Sequence, residues 1–214
     1  MTLETLAYDD DLRLVYPTIV GCDEVGRGCL AGPIVTAAVI LPKGIDIEGV
    51  KDSKKVRKDK HEELARKIFE VALEVQIGIR TPAEIDTMNI LEADKSAMRE
   101  SIEKLHIKPD LVLIDGDNKQ LLSTKYPEKT LIKGDTKSLT IGAASIIAKY
   151  ARDRLMQTYA QKYPGYGFET NAGYGTAQHI AALKRIGVTP IHRKTFEPIK
   201  TNRKVWVTNN GIED

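Results

Sequence analysis

The sequence predicts an α/β protein, a sheet with helices packed against its faces. Two observations predict it. Short apolar, β-rich runs recur at 18–24, 34–41, 73–79 and 111–116, and between and after them apolar residues recur at helical spacing. No internal repeat or low-complexity tract breaks this alternation.

TIVGCDE at 18–24 is an apolar run that ends in Asp23 and Glu24, and IVTAAVIL at 34–41 is a second strand, joined to the first by the glycine-rich GRGCLAGP. The polar VKDSKKVRKDK at 50–60 is a surface loop that feeds an amphipathic helix with Leu64, Ala65, Ile68, Phe69 and Ala72 on one face. LEVQIGI at 73–79 reads as a third strand. After Thr81 and Pro82, Leu91, Met98, Ile102 and Leu105 trace one face of another helix. LVLIDG at 111–116 is a buried strand with Asp115 at its tip. TLIKGD at 130–135 leads into the longest helix, where Ala144, Ile147, Ala151, Leu155 and Tyr159 form a continuous stripe. The Gly- and Tyr-rich YPGYGFETNAGYGT follows, then a short helix from about Ala177 to Ile186 and a polar C-terminal stretch with strand character.

A chain of 214 residues with 42% hydrophobic and 29% charged residues fits a globular domain able to bury a sizeable core. Its net charge of +2 is too small to identify a nucleic-acid binder, so any basic footprint is local. The first residues carry no signal-peptide pattern and no segment is apolar enough to span a bilayer, so the expected location is cytoplasmic, with no membrane partner. Cys22 and Cys29 are too few for a disulfide framework and are expected as reduced thiols near the core.

Acids mark the strand ends. Asp23 and Glu24 close one run, Asp115 closes another, and Asp135 lies just before the long helix. Carboxylates gathered there repel one another unless cations are bound, and hard divalent ions with oxygen ligands, Mg²⁺ or Mn²⁺, fit best. Two such ions roughly 3.5–4 Å apart can activate water and stabilise the leaving oxygen of a phosphodiester. Taken singly, each acid also has a structural reading. Asp135 can serve the N-terminus of the helix that follows, and Asp153 can pair with Lys149 four residues earlier. GRGCLA at 26–31 fits a loose dinucleotide fingerprint, but that motif needs a helix directly after it, and here a strand follows. No histidine pair has metal-ligand spacing.

GCDEVGRGCLAGPIVTAAVIL at 21–41 resembles the first signature of the ribonucleases HII. KDSKK at 51–55, LVLIDG, KGDTKSLTIGAASIIAKYARD at 133–153 and PGYGFETNAGYGT with HIAAL and PIHRKTF resemble further segments of that family in the same order. The resemblance implies an RNase H-like mixed sheet with helices on both faces and a small C-terminal helical or irregular region. It further implies one catalytic domain, with a core at about 16–163, a substrate-binding region at about 164–200 and a polar tail at 201–214.

The resemblance also assigns roles. Asp23, Glu24, Asp115 and Asp135 match the metal ligands of a two-ion site, with Asp153 the rival for Asp135's place. Gly26, Arg27 and Gly28 match the element that reads the RNA-to-DNA junction, where glycine lets the backbone approach a 2′-hydroxyl. Tyr174 matches the junction tyrosine, while Lys54, with Lys51 and Lys55, and Arg193 are expected as phosphate contacts. The implied activity is cleavage of the RNA strand of RNA–DNA hybrids and of duplex DNA containing ribonucleotides, by a monomer without a sliding-clamp motif. Cys29 stands where the family often has proline, and Asn171-Ala172 replaces a more usual His-Lys, a change expected to weaken the backbone near Tyr174. A hybrid-binding protein without catalysis, or an NAD-dependent oxidoreductase built on GRGCLA, are the alternatives.

Overall fold

The structure is a computed structural model and describes residues 4–50 and 58–202. Five strands form one mixed sheet, β1 (Ile19–Val25), β2 (Ile34–Ile40), β3 (Glu74–Arg80), β4 (Leu111–Asp115) and β5 (Glu128–Leu131), in the order β3-β2-β1-β4-β5. β1 pairs antiparallel with β2 and parallel with β4, and β5 adds parallel to β4. The strand after the glycines is therefore β2, not the helix that a dinucleotide fingerprint requires.

β2 is buried at every position and β4 at all but its last, which explains why these strands read as continuous apolar runs. Their alternate residues serve two cores. Ala37 and Val39 pack with Leu64, Ala65 and Ile68 of α2 (Lys58–Val71) and with Ala144 and Ile147 of α6 (Leu139–Lys162). Ala38 and Ile40 turn the other way, toward Met98 and Ile102 of α4 (Ile90–Glu103). Helices thus cover both faces of the sheet, as the sequence predicts. α6 begins hard against β1, since a Cβ at Gly21 would lie 2.4 Å from the Thr140 carbonyl carbon.

Three elements depart from the sequence expectation. The segment after Thr81 is two helices, α3 (Pro82–Met88) and α4, because Asn89 turns the chain at φ 71° and its Oδ1 accepts the N–H groups of Leu91 and Glu92. An N-terminal helix, α1 (Glu4–Leu12), has no counterpart in the apolar pattern. Its Asp9 is buried and accepts from the Thr140 N–H at 2.9 Å and hydroxyl at 2.7 Å, capping α6. At the C-terminus, residues 199–202 are helical rather than extended, with Lys200 N–H donating to the Phe196 carbonyl. The polar tail beyond 202 and the lysines Lys51, Lys54 and Lys55 lie outside the described residues.

The remaining helices are α5 (Gly134–Lys137), α7 (Phe168–Asn171) and α8 (Ala177–Ile186), the last with the expected bounds. The chain forms two compact units, one of Met1–Val25, Val35–Ile79 and Asp94–Tyr150, the other of Gly26–Ile34, Arg80–Ala93 and Ala151–Asp214. Among the described residues no helix is long and apolar enough to cross a membrane.

Candidate active site

The acids belong to the first unit. Asp23 lies on β1 and Asp115 ends β4, and because Cys22 pairs with Ile114 in the parallel register, the two aspartates occupy the next positions on adjacent strands. Glu24 follows on β1. Asp135 is the second residue of α5 and is buried. The turn before α5 is tied to β4 by the Gly134 N–H, which donates to Asp115 Oδ1 at 2.5 Å. Lys133 enters that turn in the left-handed region, at φ 57° and ψ 44°.

Asp23 is 6% exposed, and its Oδ1 accepts the Glu24 N–H at 2.7 Å. Burial first, and then the charges of Glu24 and Asp115, hold its carboxyl well above the usual range, while a hydrogen bond from Ser145 opposes them. Neighbouring negative charges on the adjacent inner strands β1 and β4 are therefore an electrostatic cost of this fold. Among the described residues no three His, Cys, Asp or Glu side chains are already gathered into a coordinating group. The fit to divalent cations is one of placement and donor chemistry: oxygen-only donors on adjacent strands, mutually repelling, which a hard cation would neutralise.

The second unit carries the glycine loop and the tyrosine, and it joins them. Leu30 and Ala31 both donate their N–H to the Gly173 carbonyl, at 2.8 and 3.3 Å, and Cys29 Sγ lies 3.7 Å from the Ala172 carbonyl. Tyr174, the next residue, is 44% exposed, and burial of the rest of the ring raises its hydroxyl pKa. Within the loop Gly26 is buried, Arg27 half-buried and Gly28 exposed. Asn171 strengthens this backbone rather than weakening it: its amide donates to the Tyr166 carbonyl, its Oδ1 accepts the Gly173 N–H, and its carbonyl accepts the Tyr174 N–H. Both cysteines are free and buried, as expected. Asp153 sits half-buried on α6 in this second unit.

Arg193 corrects the sequence reading. It is fully buried, and its guanidinium donates to the carbonyls of Gly26, Arg27 and Gly32 at 2.7–3.1 Å, so it is not a surface contact for phosphate. Its polarity marks it for attention, but only the fold shows that its partners are main-chain carbonyls. Arg152, to which sequence reasoning assigned no role, likewise donates to main-chain carbonyls. The histidine pair was missed too: His179 and His192 are buried with their Nε2 atoms 3.1 Å apart. The Thr189 N–H donates to His192 Nδ1, and the Tyr174 carbonyl accepts from His179 Nδ1. The proton of the bond between the rings therefore belongs to His192, and both imidazoles are neutral.

Comparison with known proteins agrees with this arrangement. The family described as Ribonuclease HII matches residues 20–199. A ribonuclease HII of Ligilactobacillus salivarius is 54% identical over 182 residues, covering 85% of this chain and 70% of that protein. One from Enterococcus faecalis is 52% identical over 197 residues, covering 92% of this chain and 74% of its own length. The crystal structure of the ribonuclease H2 from Pyrococcus horikoshii superposes with a TM-score of 0.76 at 28% identity, covering 88% of this chain and 98% of that one. With the strand order, the acids and the family match in agreement, the chain belongs to the ribonuclease HII family.

Proposed function

We propose that this ribonuclease H, an endonuclease of a family that cleaves the RNA of RNA–DNA hybrids, also nicks duplex DNA on the 5′ side of embedded ribonucleotides. On this reading Asp23, Glu24, Asp115 and Asp135 hold two divalent ions, Mg²⁺ or Mn²⁺. What carries it is the β1–β4 register, by which Asp23 and Asp115 fall side by side on the two inner strands, Asp115 at the C-terminal end of β4. When bound, the ions supply an activated water for in-line attack and neutralise the departing 3′-oxygen, which leaves 5′-phosphate and 3′-hydroxyl ends.

The chain's own residues orient the reaction. The Gly134 N–H fixes the Asp115 carboxylate, and the Ser145 hydroxyl and Glu24 N–H fix that of Asp23. Gly26, Arg27 and Gly28 would meet the ribose 2′-hydroxyl through the backbone, with the exposed face of Tyr174 against the following sugar. Lys54, with Lys51 and Lys55, would contact phosphates and give salt-sensitive affinity without sequence preference.

The test is a labelled DNA duplex with one ribonucleotide, beside an all-DNA duplex and a continuous RNA–DNA hybrid, with Mg²⁺, Mn²⁺ or EDTA. A metal-dependent nick just 5′ of the ribonucleotide, absent from the all-DNA control, is expected. Cleavage of the hybrid alone would remove the ribonucleotide-reading role from the loop and Tyr174. No cleavage with either ion would overturn the reading.

A further inference from the structure

Two fully buried arginines stand behind the glycine loop. Arg152 donates from Nε to the Pro33 carbonyl at 2.9 Å, from Nη1 to Ala172 at 2.7 Å and from Nη2 to Ala31 at 3.0 Å. Arg193 donates from Nε to Gly32 at 3.1 Å, from Nη1 to Arg27 at 2.9 Å, and from Nη2 to Gly26 at 2.7 Å and Gly32 at 3.0 Å. The Phe196 ring lies against the Arg193 guanidinium, 5.0 Å from centroid to Cζ. Two planar forks thus hold the carbonyls of five of the eight residues from Gly26 to Pro33, and with Ala172 they also hold the chain just before Tyr174.

The arrangement is expensive for stability alone. Neither guanidinium has a carboxylate within salt-bridge distance among the described residues, and a buried charge without a contacting counter-charge costs several kcal/mol. Burial, with the neighbouring charge of Arg152 added, lowers Arg193 to about 10, so it stays charged at neutral pH. Main-chain carbonyls and, for Arg193, the more distant charge of Asp86 offset this cost in part, and apolar side chains of similar volume would fill the space with less penalty. What two guanidiniums provide, and apolar groups cannot, is a loop with its carbonyls turned inward and fixed, above a positive potential that favours an anionic backbone in front of it.

We propose that Arg152 and Arg193 are positioning residues for ribonucleotide selection: they set the Gly26–Pro33 backbone and the approach to Tyr174 in the geometry that meets the 2′-hydroxyl. The proposal rests on the reading of that loop as the ribonucleotide reader. It differs from a purely structural role in that it ties these side chains to substrate preference.

The experiment uses the full chain with Arg152→Lys and Arg193→Lys, which keep the charge and lose the planar fork. Amide hydrogen exchange should speed up by about tenfold or more within residues 26–33 while β1, β2 and β4 keep their protection. The ratio of kcat/KM on the single-ribonucleotide duplex to that on a continuous hybrid should fall by about fivefold or more, because a hybrid offers many registers and dilutes the loss at one. Equal falls on both substrates, with loop exchange unchanged, would make the arginines structural and overturn the proposal. Phe196→Leu, which removes the ring beside Arg193 and leaves its charge, should move both readouts in the same direction by less; if the lysine variants do not fold, its failure to move them overturns the proposal. If the unsubstituted protein shows no preference for the ribonucleotide, the functional reading fails by itself, and the exchange arm still decides whether the arginines order the loop.

Discussion

At Gly26 a Cβ would lie 2.3 Å from Arg152 Nε with the backbone at φ +102°, whereas at Gly28 a Cβ would meet nothing within 4 Å. The first glycine is demanded by the protein's own interior. The second is demanded by nothing among the described residues, which is what a position reserved for close approach by a ligand requires. Gly26→Ala should therefore lower stability by about 2 kcal/mol or more in urea titration. Gly28→Ala should stay within about 0.5 kcal/mol of the unsubstituted protein and still lose about tenfold or more in kcat/KM on the single-ribonucleotide duplex. Full activity in Gly28→Ala would mean that the sugar does not come close at this residue. Asp115→Asn separates chemistry from folding in another way. The amide oxygen can still accept the Gly134 N–H, while one of the charges that burden Asp23 is removed. Turnover should fall by about a hundredfold or more, and in EDTA the melting temperature should hold or rise. Mg²⁺ or Mn²⁺ should raise the melting temperature of the unsubstituted protein and raise that of the variant less. Normal turnover in the variant would remove Asp115 from the metal site.

The elements most legible in the sequence are those whose neighbours impose one period. β2 and β4 read as continuous apolar runs because both faces are covered, and α8 carries its own signals, Thr176 as N-cap and Gly187 just past its end. α1 was not legible, because its role is a cap on a helix 131 residues away in sequence, through Asp9 and Thr140, and no local pattern records that. The break between α3 and α4 was not legible because the stripe of Leu91, Met98, Ile102 and Leu105 begins only after it and leaves the segment from Pro82 without a pattern of its own. Asn89 makes the break by combining a left-handed φ of 71° with a cap on the next helix. Both contributions can be separated by substitution. Asn89→Ala loses the cap and keeps the strain, so it should cost about 1–2 kcal/mol by chemical denaturation. Asn89→Gly loses the cap but relieves the strain, and should cost only a few tenths of a kcal/mol by the same measurement. Equal losses in the two variants would show that the conformation at this position carries little energy.

For the molecule as a whole, the strand positions of Asp23, Glu24 and Asp115 were legible because strands can be read one at a time, whereas the support of the glycine loop was not. Arg193 reads as a surface cation and proves buried, and His179 and His192, thirteen positions apart, meet only through the fold. That hidden pair sets an expectation for stability against pH. Burial, and then the nearby His179, pushes His192 down to about 3, and burial also lowers His179 although the Tyr174 carbonyl opposes it. The unfolded chain binds these protons near the ordinary histidine pKa of about 6.5. The stabilising contribution of the neutral His192 is therefore complete above about 6.5 and is lost as pH falls toward 3, by about 1.4 kcal/mol per pH unit for its one proton, and His179 adds to the loss in the same direction. Asp9 and Asp23, whose carboxyls are raised by burial, contribute with the opposite sign, destabilising the fold as pH rises above the ordinary carboxylate value. Comparing the protein with His192→Asn cancels those carboxylate contributions. The asparagine oxygen can still accept the Thr189 N–H but takes up no proton. Urea midpoints measured from pH 7 down to 4.5 should show a slope shallower in the variant by about one proton, close to 1.4 kcal/mol per pH unit. Parallel slopes would mean that His192 is protonated alike in the folded and unfolded chains, and that the hydrogen-bonded pair does not stay neutral in acid.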